Sequence, residues 1–190
     1  MLERIVFKNR SYRRFHEKEK ISSNLLKDLI NLARLTPSTA NLQPLKYIIS
    51  FESKTNALIF PCLRWAGYLK DWEGPEDGQR PSAYIVILND KNICENTTID
   101  QGIAAQSILL GAVEAELGGC IIASIDRDLL RKELKIDDQY QILLVLALGK
   151  PRERVMLENI KDGDVRYWRD KNAVHHVPKR PLDEILVDIG

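Results

Sequence analysis

The sequence has few of the features that mark a specialised class of protein. It carries 28 lysines and arginines against 27 aspartates and glutamates, so its net charge is +1. A chain without a strong charge of either sign offers no basic surface to nucleic acid or to an anionic membrane. No apolar run reaches the ~20 residues that a membrane-spanning helix needs. We therefore expect neither a nucleic-acid partner nor a membrane.

Cysteine is scarce, and the first residues do not form an apolar run. Cys62, Cys94 and Cys120 are odd in number and scattered along the chain. That pattern is typical of free thiols in a reducing compartment and not of a disulfide framework. The first residues, MLER, begin a mixed amphipathic segment that does not resemble the apolar part of a signal peptide. We therefore expect a cytoplasmic protein.

Motifs for several common chemistries are also missing. No G-x-G-x-x-G follows a predicted strand, and the chain has neither a Walker loop nor a G-x-S-x-G elbow. His175 and His176 are adjacent, so on a strand they would point to opposite sides. The cysteines lie at no ligand spacing. No metal site is expected.

The length and composition are those of one globular domain. The chain has 190 residues, of which 44% are apolar and 29% charged, enough to bury a sizeable core. Strands separated by helices, without regular βαβ spacing, predict an α+β fold with a helix-flanked mixed or antiparallel sheet. We expect a single domain over residues 1–190, with residues 152–190 as a C-terminal extension.

Apolar periodicity and turn residues define the expected elements. A long helix over 98–117 is apolar on most sides, with Thr97 or Thr98 as its cap and Gly118-Gly119 as its left-handed end. The C-terminal extension is densely charged, and a hairpin is expected over 165–177. The other expected helices cover 2–8, 24–35 (capped by Ser22 or Ser23), 53–70 and 126–134, and the expected strands cover 46–51, 83–88, 120–123 and 142–148, with 83–88 buried on both faces.

An arginine-rich stretch near the N-terminus is the first positive feature. Residues 9–15 read NRSYRRF, and Arg10, Arg13 and Arg14 can share one side of a turn. Guanidinium groups present paired donors that match phosphate oxygens, and Ser11 adds a hydroxyl. On this stretch alone, a solvated basic turn is the simpler interpretation.

A polar loop one helix later is the second positive feature. Residues 36–44 read TPSTANLQP. The amide of Asn41 presents both a donor and an acceptor, and Ser38 and Gln43 add further polar groups. Taken alone, the loop favours a local explanation in which Ser38 caps a turn and Asn41 bonds its own backbone.

The two stretches together resemble the nitroreductase-like family of FMN-dependent oxidoreductases. The resemblance extends weakly to the C-terminus, and Asn9 stands where many members carry a basic residue. The matching residues are Arg10, Ser11 and Arg13 in the first stretch, and Pro37, Ser38, Asn41, Gln43 and Pro44 in the second.

The resemblance implies a set of residues that bind FMN. Two groups would hold the phosphate: the arginine-rich stretch and a basic residue near the C-terminus, for which Arg180 is a better match than Lys179. The polar loop would contact the flavin ring, and the Gly118-Gly119 backbone would lie beside the redox-active nitrogen, although a plain helix end explains these glycines equally well. The implied cofactor-binding residues are Arg10, Ser11, Arg13, Pro37, Ser38, Asn41, Gln43, Gly118, Gly119 and Arg180.

The implied activity is ping-pong hydride transfer through flavin N5. NADH or NADPH would be the reductant, and a nitroaromatic, a quinone or a similar small molecule the acceptor. The flavin supplies the chemistry, so no dedicated catalytic residue is expected. The resemblance also implies an intertwined homodimer, with residues 152–190 wrapping the partner subunit. Two alternatives stay open: a non-catalytic flavin sensor or store, and a dimeric scaffold that binds no flavin.

Three aromatic residues fall near the predicted loop that begins at residue 71. Trp65, Tyr68 and Trp72 are close in sequence and suit either stacking on a substrate or packing beneath the loop. Packing is the more common use of such a cluster, so we favour it. Cys120 follows the glycines, and the simplest account of it is a small buried residue.

Overall fold

A four-stranded antiparallel sheet forms the centre of the fold. The structure is a computed structural model that describes residues 1–97 and 99–187. The spatial order of the strands is β1-β2-β4-β3, so β2 and β4 are the inner pair. The strands are β1 (Leu45–Ser50), β2 (Ala83–Asp90), β3 (Gly118–Ile122) and β4 (Tyr140–Gly149).

Helices pack on both faces of this sheet. They are α1 (Leu2–Lys8), α2 (Ser23–Arg34), α3 (Ser53–Ile59), α4 (Asp100–Glu114), α5 (Arg127–Leu134) and the short α6 (Leu182–Ile185). Among the described residues, no helix has both the length and the apolar character needed to cross a bilayer.

Strand β2 is buried on both faces, as its uninterrupted apolar run predicts. Ile85 and Ile87 point to one side, where they join a core built with α2 and α4. Tyr84 and Val86 point to the other side and join a second core that includes residues of α5. Because successive side chains of a strand alternate, one apolar run can supply both cores.

The helix starts agree with the expected caps in one case and differ in another. Ser22 Oγ accepts a hydrogen bond from the backbone amide of Leu25 at 3.2 Å, so Ser22 caps α2 as expected. Helix α4 begins at Asp100, and its cap position is Ile99, which makes no side-chain capping bond. Thr97 does not cap it, and Thr98 lies outside the described residues.

The expected role of Gly118-Gly119 as a helix end is wrong. Helix α4 ends at Glu114, Glu116 takes the left-handed conformation with φ of 58°, and the glycines begin β3. Close packing is what requires glycine here. A Cβ at Gly118 would lie 2.5 Å from the Tyr12 ring, and a Cβ at Gly119 would lie 2.6 Å from a backbone carbonyl of β4.

The expected helix over 53–70 is also shorter than predicted. Helix α3 ends at Ile59 and is followed by one 3-10 turn, Phe60–Cys62, that contains Pro61. Proline lacks the N–H that would continue the helical ladder, so the chain leaves the helix there.

The C-terminal extension forms a second, three-stranded sheet. Its strands are β5 (Val155–Asn159), β6 (Trp168–Arg169) and β7 (His175–Lys179), in the order β5-β7-β6. β6 pairs antiparallel with β7, which confirms the expected hairpin, whereas β5 pairs with β7 in parallel. The Asp170 carboxylate closes the hairpin turn by accepting from the Asn172 and Val174 amides at 2.9 and 2.8 Å.

Candidate functional site

The arginine-rich stretch, residues 9–15, is fixed to the edge of the central sheet. Ser11 forms a single β-bridge with Gly119, and Phe15 forms another with Pro151. Phe15 is fully buried. The backbone between these anchors therefore presents its arginine side chains from a defined position.

A buried carboxylate, that of Glu153, holds the same stretch from the other side. Its side chain is 2% exposed, and its Oε1 accepts from the backbone amides of Arg13 and Arg14 at 2.5 and 3.3 Å. Its Oε2 accepts from Arg169 Nη2 at 3.0 Å. A buried charge is tolerated when it is paired and hydrogen-bonded in this way. This role is not predicted from the sequence, because Glu153 lies between two arginines and has the pattern of a solvated charge.

A cationic cavity of about 220 Å³ opens between this stretch and the C-terminal sheet. Three of its lining side chains are positively charged, and of the described residues that line it none is acidic. Forked guanidinium donors and an ammonium group in one cavity suit an anion such as phosphate. The lining residues are Asn9, Arg10, Ser11, Arg13, Tyr167, His175, Val177 and Lys179.

Lys179, and not Arg180, is the C-terminal basic residue that reaches this cavity. Lys179 is the last residue of β7 and lines the cavity with Arg10 and Arg13. Arg180 forms an ion pair with Glu184 in α6. Adjacent residues of an extended chain point to opposite sides, so only one of the two basic residues can face the cavity.

A buried histidine and a tyrosine position the Arg13 side chain. His175 is 1% exposed, and its Nε2 lies 3.3 Å from Arg13 Nη1. Burial, together with the nearby charges of Arg13 and Arg169, lowers the pKa of His175 to about 4. The ring is therefore neutral at pH 7 and accepts the guanidinium N–H. The Arg13 guanidinium also lies over the Tyr167 ring, 5.0 Å from its centroid.

The tryptophans of the aromatic group serve packing, as favoured from the sequence. The guanidinium groups of Arg169 and Arg14 both lie over the Trp72 ring, 4.6 and 5.6 Å from its centroid. Trp65 is 8% exposed and belongs to the second core. Tyr68 is different, because it is 51% exposed and still faces solvent.

The polar loop is held by a second buried carboxylate, that of Asp100. Its Oδ2 accepts from Ser38 Oγ at 2.5 Å, and its Oδ1 accepts from Thr39 N and Oγ1 at 3.0 and 2.7 Å. Burial alone would raise the pKa of Asp100, but the hydrogen bonds from Ser38 and Thr39 outweigh it and lower the pKa. The carboxylate is therefore charged at neutral pH.

Bonds within the loop continue from Ser38. Its hydroxyl accepts from the Gln43 backbone amide at 2.9 Å, and Gln43 Nε2 donates to the Asn41 carbonyl at 3.2 Å. Ser38 stands at the cap position of the 3-10 turn Thr39–Asn41 but makes no side-chain capping bond to it, and its local bond is the one to Gln43. Asn41 is exposed. The loop presents an amide from a backbone that is already fixed.

Within one chain the predicted site residues fall into two separate groups. Of the predicted residues, Arg10, Ser11 and Arg13 line the cationic cavity, with Gly119 bridged to its wall, and Lys179 stands there in place of the predicted Arg180. Pro37, Ser38 and Gln43 line a second cavity of about 160 Å³ beside the polar loop, whereas Asn41 lines neither cavity, and no described residue lines both. That second cavity is lined by Ala33, Arg34, Thr36, Pro37, Ser38, Gln43, Leu45, Tyr47 and Asp100.

The fold and this site define an α+β protein with a preformed cationic cavity at the edge of its central sheet. The model of the nitroreductase family matches residues 6–150 of the chain. The chain belongs to the nitroreductase family. The match stops shortly before Glu153 and does not include the C-terminal sheet.

Solved structures of similar fold cover most of the chain. An FMN-dependent nitroreductase from Clostridium difficile R20291 is 25% identical, with a TM-score of 0.65 over 84% of this chain and 92% of that one. A nitroreductase family protein from Streptococcus pneumoniae TIGR4 is 15% identical, with a TM-score of 0.70 over 99% and 100%. A gut-bacterial enone reductase is 19% identical, with a TM-score of 0.68 over 85% and 93%. At 15% and 19% identity, the last two similarities show only that the fold is shared. None of the curated proteins compared with the chain matches it.

Proposed function

We propose that this protein is an FMN-dependent NAD(P)H oxidoreductase. The observation that carries the proposal is the cationic cavity, in which Arg10, Arg13 and Lys179 converge and no described acidic side chain is present. The phosphate of FMN is a dianion with oxygens that match paired guanidinium donors. The FMN-dependent nitroreductase that is 25% identical to the chain supports the same cofactor.

The residues of the cavity would bind the phosphate without rearrangement. The Arg13 side chain is held by His175 and lies over Tyr167, while its backbone is held by Glu153. Ser11 adds a hydroxyl at the same wall. Preorganised donors lose little entropy on binding, so this arrangement favours tight retention of a phosphate group.

Asn9 does not remove the positive charge that the phosphate needs. Its Nδ2 donates to Gln106 Oε1 at 3.2 Å, which ties the start of the stretch to α4. Arg10, Arg13 and Lys179 still supply three cationic groups to the cavity.

Bound FMN would supply two-electron exchange at N5 between NADH or NADPH and a nitroaromatic, a quinone or a similar small acceptor. The protein's share of the work is to bind and orient the flavin. This role agrees with a cavity that contains hydrogen-bond donors and in which no described residue is arranged as a nucleophile with its base.

We further propose that two copies of the chain build each site, because the cationic cavity and the polar loop are separate within one copy. Exposed large apolar side chains on α1 and α6 are the surface that we assign to this interface. They include Leu2, Val6 and Phe7 on α1, and Leu182 and Ile185 on α6. The C-terminal extension would wrap the partner subunit.

The test is the absorbance of the purified protein with FMN, under anaerobic conditions. We expect yellow protein that is bleached by NADH or NADPH and recovers its colour when a nitroaromatic or quinone is added. Yellow protein that neither nicotinamide bleaches would identify a non-catalytic flavin protein. Colourless protein after FMN is supplied would refute the proposal. Sedimentation velocity of the same sample tests the dimer, and a monomer would contradict the shared site.

A further inference from the structure

Asp100 is a buried charged side chain that the proposed chemistry does not use. It is 3% exposed and stands at the first position of α4, where the positive end of the helix favours a negative charge. Three hydrogen bonds to its side chain come from the polar loop, from Ser38 and Thr39. The carboxylate therefore links the start of α4 to the loop across 61 residues of chain.

The loop adopts a backbone conformation that its residues disfavour. Ala40, Asn41 and Gln43 have φ values of 50°, 55° and 52°. Asparagine tolerates this left-handed conformation, but alanine and glutamine rarely take it, and there it persists only where surrounding bonds enforce it. Asp100 provides those bonds at the N-terminal end of the loop, and Ser38 carries them to Gln43.

This arrangement changes the role expected for Ser38. Its hydroxyl donates to Asp100 and accepts from the Gln43 amide, so its one proton is already used. Asn41 lies in the same loop and is exposed, so its side-chain amide is accessible to a ligand. Ser38 therefore connects Asp100 to the rest of the loop.

We propose that Asp100 is a positioning residue for the flavin ring, and that it acts by fixing the loop through Ser38 so that Asn41 meets the ring in one orientation. The inference rests on the proposed function, since it assigns a role toward the same cofactor. It predicts that the Asp100 carboxylate affects recognition of the ring and leaves recognition of the phosphate unchanged.

A comparison of FMN with riboflavin separates these two kinds of recognition, because riboflavin has the ring and lacks the phosphate. The dissociation constants of both flavins would be measured by fluorescence for wild type, Asp100→Asn and Asp100→Ala. We expect the dissociation constants of both flavins to rise by the same factor in each variant, about tenfold in Asp100→Ala. Asp100→Asn keeps one carbonyl acceptor and should fall between wild type and Asp100→Ala. Arg13→Ala should weaken the binding of FMN and leave the binding of riboflavin unchanged.

Asp126→Asn is the matched control, because Asp126 also stands at a helix start and accepts a backbone amide, from Leu129 at 3.0 Å. It should bind both flavins as wild type does. The visible circular dichroism of bound flavin should change in the Asp100 variants and stay constant in the control. Hydrogen exchange on flavin-free protein should show faster exchange of the Thr39 and Gln43 amides in Asp100→Ala, with the sheet amides unchanged.

The outcomes separate the two proposals. Wild-type protein that binds neither flavin would overturn the proposed function and the role of Asp100 with it. If wild-type protein binds both flavins and Asp100→Ala has the same affinities and the same dichroism, only the role of Asp100 is overturned. Weaker binding of FMN with unchanged binding of riboflavin in the Asp100 variants would also overturn the role of Asp100, because the carboxylate would then affect recognition of the phosphate.

Discussion

Replacing Lys179 or Arg180 by alanine tests which C-terminal cation serves the cationic cavity. The two residues are neighbours and have the same charge, so each variant is the control for the other. Lys179 lines the cavity with Arg10 and Arg13. Arg180 is paired with Glu184, and the side chains of this pair are 44% and 42% exposed.

The expected losses of FMN affinity differ by about threefold or more between the two variants. A hydrogen bond to a charged group contributes about 1.5–3 kcal/mol. At about 1.4 kcal/mol for each factor of ten, Lys179→Ala should weaken FMN binding roughly ten- to hundredfold. Arg180→Ala removes an exposed ion pair of about 0–1 kcal/mol that is screened from the cavity, so FMN affinity should change by less than about threefold.

The assay is quenching of flavin fluorescence, with FMN and riboflavin titrated into each protein at constant ionic strength. Lys179→Ala should lower the preference for FMN over riboflavin, because riboflavin has no phosphate for the ammonium group to bind. A larger loss of FMN affinity in Arg180→Ala than in Lys179→Ala would refute the placement of Lys179. Equal losses for the two flavins would refute the assignment of the cavity to phosphate.

Three further predictions concern the residues that hold the site. Glu153→Ala leaves a guanidinium and two backbone amides buried without their acceptor, and should lower the free energy of unfolding in urea by about 3–5 kcal/mol. The pKa of His175 is lowered from 6.5 to about 4, so the unfolded chain binds a proton that the folded chain does not, and stability falls as the pH drops through that range. His175→Gln should remove up to about 3 kcal/mol of this fall, measured by urea unfolding at pH 7 and 4.5. Gly119→Ala places a Cβ 2.6 Å from a backbone carbonyl and should cost about 1–3 kcal/mol by thermal unfolding.

Each of these predictions has a control or a contradicting result. Glu153→Gln keeps an acceptor and should be less destabilising than Glu153→Ala. An unchanged difference in stability between pH 7 and 4.5 in His175→Gln would show that another group carries the proton. Gly102→Ala is the partner of Gly119→Ala, since a Cβ at Gly102 in α4 meets nothing within 4 Å. It should raise stability by about 0.5–1 kcal/mol, because alanine is the better helix former.

Most of the fold could be predicted from the sequence because its signals are local. The uninterrupted apolar run of β2 predicts a strand buried on both faces, and Ser22 predicts the start of α2. The hairpin of β6 and β7 was also expected, because turn-forming residues separate two short extended segments. The parallel pairing of β5 with β7 depends on contacts between distant residues, and nothing in the local pattern specified it.

Among the residues of the site, too, those with a local sequence pattern could be predicted and those that depend on distant contacts could not. The arginine-rich stretch and the polar loop carry their own patterns, and the structure shows both as defined features. The choice between Lys179 and Arg180 depends on the register at the end of β7, which a shift of one residue would reverse. Glu153 and Asp100 were missed because a buried carboxylate and a solvated one have the same letter in a sequence. Gly118-Gly119 suggested a backbone turn, whereas the glycines are required by side chains and backbone packed against them.

The position of Glu153 has a consequence for building chimeras between relatives. The family match ends at residue 150, yet this carboxylate binds the backbone of Arg13 and Arg14 within the matched region. A hybrid that joins the matched region to another relative's C-terminal portion would need a carboxylate at the same place. Without it, two buried amides would lose their acceptor and the arginine side chains would lose their fixed support.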